Sequence, residues 1–192
     1  MNLEIYEFHP KTKSVVVFHP ISLLEFTGFD GLSMKDNWKI PRYKMFNKSR
    51  PIKDFISFQV GRTIIFSENA RHSLEYLIGK YVEFLPFVEL KKKQYFFLNV
   101  LNIVDCLDKK RTKIHYVQDR IICLDYIHFI KKRLPNSPIF KIPESMSYIF
   151  VRQSFIDAII NNNLTGAIFF NPDNKEFSKW EETSLKIRGL IY

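Results

Sequence analysis

The sequence predicts an α+β fold: a single domain in which a mostly antiparallel sheet packs against two or three helices. Three observations predict it. Short runs rich in aromatic and β-branched residues, such as Val15-Val16-Val17-Phe18 and Tyr95-Phe96-Phe97-Leu98, recur between charged or proline-bearing turns. Two other segments carry apolar residues at helical spacing. The two patterns do not alternate as regular strand-helix-strand units, which argues for an α+β domain.

Taken in order, residues 3–8 and 14–18 read as short strands flanking His9-Pro10-Lys11-Thr12-Lys13, an arrangement that suggests a hairpin. Ile21 to Phe26 fits a helical turn ending at Gly28. From Gly28 to Lys53 there is no clear period, so this stretch is either a loop or a segment ordered by packing. Ser67 can cap a helix whose apolar residues Ala70, Leu74, Leu77 and Ile78 share one face, with Gly79 near its end. Extended segments follow at Val82–Phe84, broken by Pro86, then at 94–100, 113–117 and 120–129. Lys91-Lys92-Lys93 and Lys109-Lys110-Arg111 look like hairpin turns, where charge blunts sheet edges. The prolines of Lys131 to Pro138 demand a loop. A short strand at 139–142, a helix at 153–162 that stops in the asparagine run and a last strand at Ala167–Phe170 complete the reading.

The chain of 192 residues is 46% hydrophobic, enough for one sizeable core, and its 19 Phe supply large buried areas. Its net charge of +9 favours an acidic partner, a nucleic acid or an anionic surface over a basic partner. The two cysteines, Cys106 and Cys123, lie in apolar stretches and form no Cys-x-x-Cys pair, which fits buried, reduced thiols and a reducing compartment. The first residues lack a basic region followed by an apolar run, and no run of about 18 apolar residues occurs. A cytoplasmic protein with no membrane association is expected.

Few residues are arranged for catalysis. Cys106 with His115 and either Asp105 or Asp108 could be drawn as a thiol nucleophile with its base and orienting acid, but nothing around Cys106 would lower its pKa. His9, His19, His72, His115 and His128 include no i, i+4 pair, and Gly28 and Gly31 are not followed by the Lys-Ser or Lys-Thr of a phosphate loop. No catalytic residue, metal or cofactor is therefore expected. Asn99 and Asp105, in or beside an apolar strand, are expected to bond backbone and hold a bend. One stretch is chemically richer: Lys35, Lys39, Arg42, Lys44, Lys48, Arg50 and Lys53 interleave with Trp38, Tyr43 and Phe46. Cations with stackable rings suit single-stranded nucleic acid, the same stretch suits contact with an acidic protein, and a charged loop is often only a solvated face.

Several segments together resemble a known family. Phe66-Ser67-Glu68-Asn69-Ala70, a helix, Tyr81-Val82-Glu83-Phe84-Leu85-Pro86, Tyr95 to Leu101 and Val104-Asp105-Cys106-Leu107-Asp108 occur in order, followed by Ser137-Pro138-Ile139-Phe140-Lys141-Ile142-Pro143, Ile149-Phe150-Val151 and Leu164-Thr165-Gly166. This order is similar to family eleven of the immunity proteins of bacterial polymorphic toxin systems. The resemblance covers residues 38–171 and leaves 1–37 and a C-terminal extension, 172–192, outside it; Arg152 and Gln153 stand where a helix cap would be usual. It implies a non-catalytic α+β protein that binds and blocks the effector domain of a secreted toxin. For such contacts the expected anchors are Trp38, Arg42, Tyr43, Arg50 and Arg133, because aromatic and arginine side chains in loops dominate interface energetics. The basic balance makes an acidic toxin surface the expected counterpart.

Overall fold

The computed structural model describes residues 4–13, 15–22, 26, 28–59 and 62–174. In chain order its strands are β1 (Ile5–Pro10), β2 (Val17–Pro20), β3 (Tyr43–Phe46), β4 (Phe55–Phe58), β5 (Thr63–Ser67), β6 (Val82–Leu90), β7 (Lys93–Val100), β8 (Lys113–Val117), β9 (Arg120–Asp125), β10 (Ile139–Ile142), β11 (Ser145–Arg152) and β12 (Ala167–Phe170). Helix α1 (Glu68–Ile78) joins β5 to β6, and α2 (Gln153–Asn161) joins β11 to β12. The expected α+β class holds, with two helices of more than one turn among the described residues.

Three sheets organise these elements. A six-stranded sheet runs β3-β2-β4-β5-β7-β6, a four-stranded one β10-β11-β1-β12, and β8-β9 form a separate pair. All neighbours are antiparallel except β2 and β4. The six-stranded sheet is covered on both faces. Ile64, Phe66, Leu98 and Val100 face α1, α2 and the four-stranded sheet, in a core with Phe8, Leu74, Phe155 and Ile159. On the other face, Phe58, Ile65 and Phe97 pack with Phe18, Phe26, Phe29 and Phe87, and Met34, Trp38, Tyr43 and Met45 lie over them. The segment after Gly28 is thus ordered by packing, because its side chains cover an apolar sheet face. A third cluster joins Cys106, Leu107 and Leu124 to Phe140, Tyr148 and Phe150.

The helices follow their sequence signals. Ser67 Oγ accepts a hydrogen bond from the Ala70 N–H at 3.1 Å, and Ala70, Leu74 and Ile78 are buried. In α2, Phe155, Ile156, Ala158 and Ile159 are buried, Arg152 gives no side-chain cap, and Asn163 takes the left-handed conformation that ends the helix.

Other elements depart from expectation. β1 and β2 do not form a hairpin: β1 lies between β11 and β12, and β2 lies between β3 and β4 in the other sheet. The Lys11 N–H donates to Gly166 O at 2.7 Å, so partners from the far end of the chain take the place of the nearest strand. Pro86 does not break β6, which continues with a bulge between Pro86 and Val88. As the edge of its sheet, β6 tolerates a residue without an N–H. β9 stops at Asp125 instead of reaching Phe129, because Tyr126 has a φ of 47°. Lys91 and Lys92, at φ 51° and 62°, do make the two-residue β6–β7 turn. Lys109-Lys110-Arg111 form a turn held by Asp108 Oδ1, but the β8–β9 hairpin turn is Gln118-Asp119. The helical turn expected at Ile21–Phe26 falls largely outside the described residues.

Candidate partner-binding surface

Glu83 on β6, Asn99 opposite it on β7 and Lys141 on β10 are buried polar side chains set among apolar neighbours. Burying such groups is costly unless each finds a partner. All three find theirs in a single loop. Lys141 Nζ donates to Phe29 O at 3.3 Å, and Asn99 Nδ2 donates to Leu32 O at 2.8 Å and to Glu83 Oε2 at 3.1 Å. Glu83 accepts the Met34 N–H at 2.9 Å through Oε2 and the Ser33 hydroxyl through Oε1. Burial alone would push the Glu83 carboxyl up, but hydrogen bonds from Ser33, Met34 and Asn99, with Lys35 nearby, outweigh it and hold the carboxyl below its ordinary value. Lys141 responds oppositely. Burial depresses it from an ordinary 10.5 to about 8, against the attraction of Asp30.

The loop is fixed locally as well. Asp30 Oδ1 accepts the Leu32 N–H at 3.0 Å. Gly31 has a φ of +87°, and a Cβ there would lie 2.7 Å from the Ile103 side chain, so this position requires glycine. Past a 3-10 turn at Lys35–Asn37, Trp38 closes the segment: its ring centroid is 5.3 Å from that of Phe97, and its Nε1 donates to Pro86 O at 2.7 Å. Between these fixed points the side chain of Leu32 is 68% exposed. An apolar side chain is therefore displayed on a backbone held from below by three buried polar groups.

The basic stretch continues from this loop. Lys35, Lys39, Arg42, Lys44, Lys48 and Arg50 are exposed, while Tyr43 and Met45 turn inward from the edge strand β3. Tyr43 packs 4.7 Å from Phe87 and 5.4 Å from Phe18, measured between ring centroids. The structure brings Trp38 and Tyr43 into one aromatic cluster beneath this basic surface. Arg42 precedes β3, and Arg50 closes a turn by donating its N–H to Asn47 O at 2.8 Å. Arg133 stands elsewhere, on the 3-10 turn Lys131–Arg133, with NH1 3.2 Å from Asp105 Oδ2. Asp105 is thus exposed and paired with an arginine, where a backbone bond was expected; Asn99 does bond backbone. Leu32, Glu83 and Lys141 were not singled out from sequence. The available signal was a lone charge inside the apolar runs Tyr81-Val82-Glu83-Phe84 and Ile139-Phe140-Lys141-Ile142.

The alternative chemistry gains no geometric support. Cys106 is fully buried, and burial, with Glu144 and Asp105 adding to it, pushes its thiol up to about 12. His115 Nε2 lies 2.8 Å from Asp125 Oδ2, so its carboxylate partner is neither Asp105 nor Asp108. Among the described residues no three His, Cys, Asp or Glu side chains are placed to hold a metal, and no helix is long and apolar enough to cross a membrane.

No curated protein matches the chain. The model of the immunity protein family Imm11 matches residues 19–172, a match that begins ahead of the segments quoted from sequence and takes in the pinned loop. By that match over most of its length, the chain belongs to the Imm11 immunity protein family.

Proposed function

We propose that this protein neutralises one cognate secreted toxin by stoichiometric contact with the toxin's effector domain, in the cytoplasm of the cell it protects, as a single domain that turns over no substrate. The observation that carries the reading is the convergence of Glu83, Asn99 and Lys141 on the backbone of residues 29–34, beneath an exposed Leu32. Stability alone does not call for it, since polar groups in a core seldom improve on apolar ones. Binding does, because a loop already held in its bound shape loses little entropy on association. Leu32 supplies an apolar anchor, and the surrounding lysines and arginines favour an acidic rim on the toxin and fast association at low salt. Trp38 and Tyr43 act from beneath by bracing the surface, and Arg42 and Arg50 act at its edge. The rings of Trp38 and Tyr43 are engaged with the core, which leaves Phe46 as the one exposed ring of the basic stretch and weakens the nucleic-acid alternative, which needs several rings for successive bases.

Co-expression with the toxin encoded beside it tests the reading. Growth should be restored, and hydrogen exchange in the purified complex should slow across residues 29–40. Growth arrest despite soluble co-expression, or protection confined to other elements, contradicts it.

A further inference from the structure

Strand β3 ends the six-stranded sheet, with β2 on one side and, among the described residues, no strand on the other. One hydrogen bond fixes which of its backbone groups face outward. The Ile21 N–H donates to Arg42 O at 2.9 Å, and the register runs on with Pro20 opposite Tyr43, His19 opposite Lys44 and Phe18 opposite Met45. Hydrogen-bonded and non-hydrogen-bonded positions alternate along an antiparallel pair. Lys44 and Phe46 therefore bond to β2, while Tyr43 and Met45 turn their N–H and C=O groups to the open side. Pro20, which has no N–H to give, stands opposite Tyr43, where none is needed. Side chains alternate between the two faces. Tyr43 and Met45 pack on the core, whereas Lys44 and Phe46 are exposed on the other face, Phe46 beside His19 with ring centroids 4.6 Å apart. Ile21, opposite Arg42 and 50% exposed, continues that face.

An open sheet edge is completed by a second backbone that offers alternating donors and acceptors. A second copy of this chain is a poor candidate. Antiparallel pairing of two β3 strands through Tyr43 and Met45 sets Lys44 directly against Lys44, and like charges directly opposite one another destabilise a sheet. A nucleic-acid strand also fits poorly, because its phosphates would meet the outward carbonyls as well as the N–H groups. A peptide strand with acidic side chains matches every part of the edge. Between Asp36 and Asp54 the chain carries six Lys and Arg and no Asp or Glu, and Lys39, Lys44, Lys48 and Arg50 are exposed. Carboxylates on the incoming strand would meet these cations, and an apolar residue would cover Phe46 or Ile21.

We infer that the toxin's effector domain adds an extended strand with acidic side chains to the open edge of β3, pairing with the backbone of Tyr43 and Met45. The inference rests on the toxin-binding reading and names the mode of contact. It is tested on the full chain with the effector domain encoded beside it, by hydrogen exchange resolved to single amides and by isothermal titration. In the free chain the amides of Tyr43 and Met45 should exchange faster than those of Lys44 and Phe46, and binding should slow them by about tenfold or more. Lys44→Glu should weaken binding by about tenfold or more, whereas Lys91→Glu, the same change of charge in the β6–β7 turn, should weaken it by less than about threefold. Met45→Pro, which removes an outward N–H, should bind about tenfold more weakly than Met45→Ala, which keeps it. If Met45→Pro does not fold, the exchange rates and Lys44→Glu decide. Exchange slowed across residues 29–40 but unchanged at Tyr43 and Met45, or equal effects of the two charge reversals, overturns strand addition and leaves toxin binding standing. Failure of the unaltered chain to bind the effector domain overturns both. Slow exchange of the two amides in the free chain, at any concentration, means that this chain or a second copy already fills the edge and overturns the inference, as does a single-stranded oligonucleotide that slows the same two amides.

Discussion

Lys141→Met should make the protein more stable and a poorer inhibitor. Lys141 is 3% exposed, its ammonium donates to Phe29 O, and burial lowers its pKa from 10.5 to about 8. At about 1.36 kcal/mol for each tenfold change in proton affinity, holding the charged form in the folded chain at pH 7 costs about 3 kcal/mol. Methionine keeps most of the apolar stem and removes that cost, at the loss of a hydrogen bond to Phe29 O worth about 1–2 kcal/mol. A net gain of about 1–2 kcal/mol follows at pH 7. The sign with pH is set by where the protons sit. Between pH 8 and 10.5 the unfolded chain still holds the Lys141 proton while the folded chain has lost it, so this group makes stability rise with pH. The advantage of Lys141→Met should therefore shrink by about 1 kcal/mol between pH 7 and 9 and be abolished or reversed by pH 10. Urea unfolding of both proteins at pH 7, 9 and 10 measures it, and the difference between them cancels the other titrating groups. The loosened loop should bind toxin more weakly. A variant less stable than the parent at pH 7, or an advantage independent of pH, would refute the assignment of Lys141 as a loop tether maintained against stability.

Leu32→Glu should leave unfolding within about 0.5 kcal/mol of the parent, since the side chain is exposed, and should weaken toxin binding sharply; calorimetry and titration read the two effects separately. Cys106, with its thiol pushed up to about 12, should resist a thiol reagent at pH 8 in the folded chain and react promptly in denaturant; prompt reaction without denaturant would contradict its burial. Because its folded pKa lies above its unfolded one, Cys106 adds stability below about pH 9 that is lost as pH rises toward 12. Ser67→Ala should cost about 1–2 kcal/mol in thermal or urea unfolding, through loss of the α1 cap and of the bond from Ser67 Oγ to Asp54 Oδ1 at 2.7 Å. An unchanged midpoint would show that water replaces the cap at no cost.

The helices were legible because their signals are local: a capping serine, a stripe of apolar residues, an asparagine or glycine at the end. The strands β4 and β5 were not, because both faces of their sheet are buried and Phe55 to Phe58 and Thr63 to Phe66 show no alternation between apolar and polar. β11, with Tyr148 to Val151 buried, was missed for the same reason. The error over β1 and β2 has a different origin. Adjacency in sequence favours a hairpin, but the partners of β1 are supplied by residues 150–152 and 167–170. The basic and aromatic stretch was recognised as the chemically rich part of the chain, although its tryptophan and tyrosine point inward. Leu32 was invisible because one exposed leucine in an aperiodic loop carries no signal until the distant Glu83, Asn99 and Lys141 are seen to meet beneath it.

The most direct measurement is a titration of the toxin's activity with this protein. Activity should fall linearly and vanish at one chain per toxin, and the toxin should recover in full when the complex is dissociated. Loss of activity at a small fraction of one equivalent, persisting after the protein is removed, would mean that it changes the toxin chemically and would contradict inhibition by surface occupation.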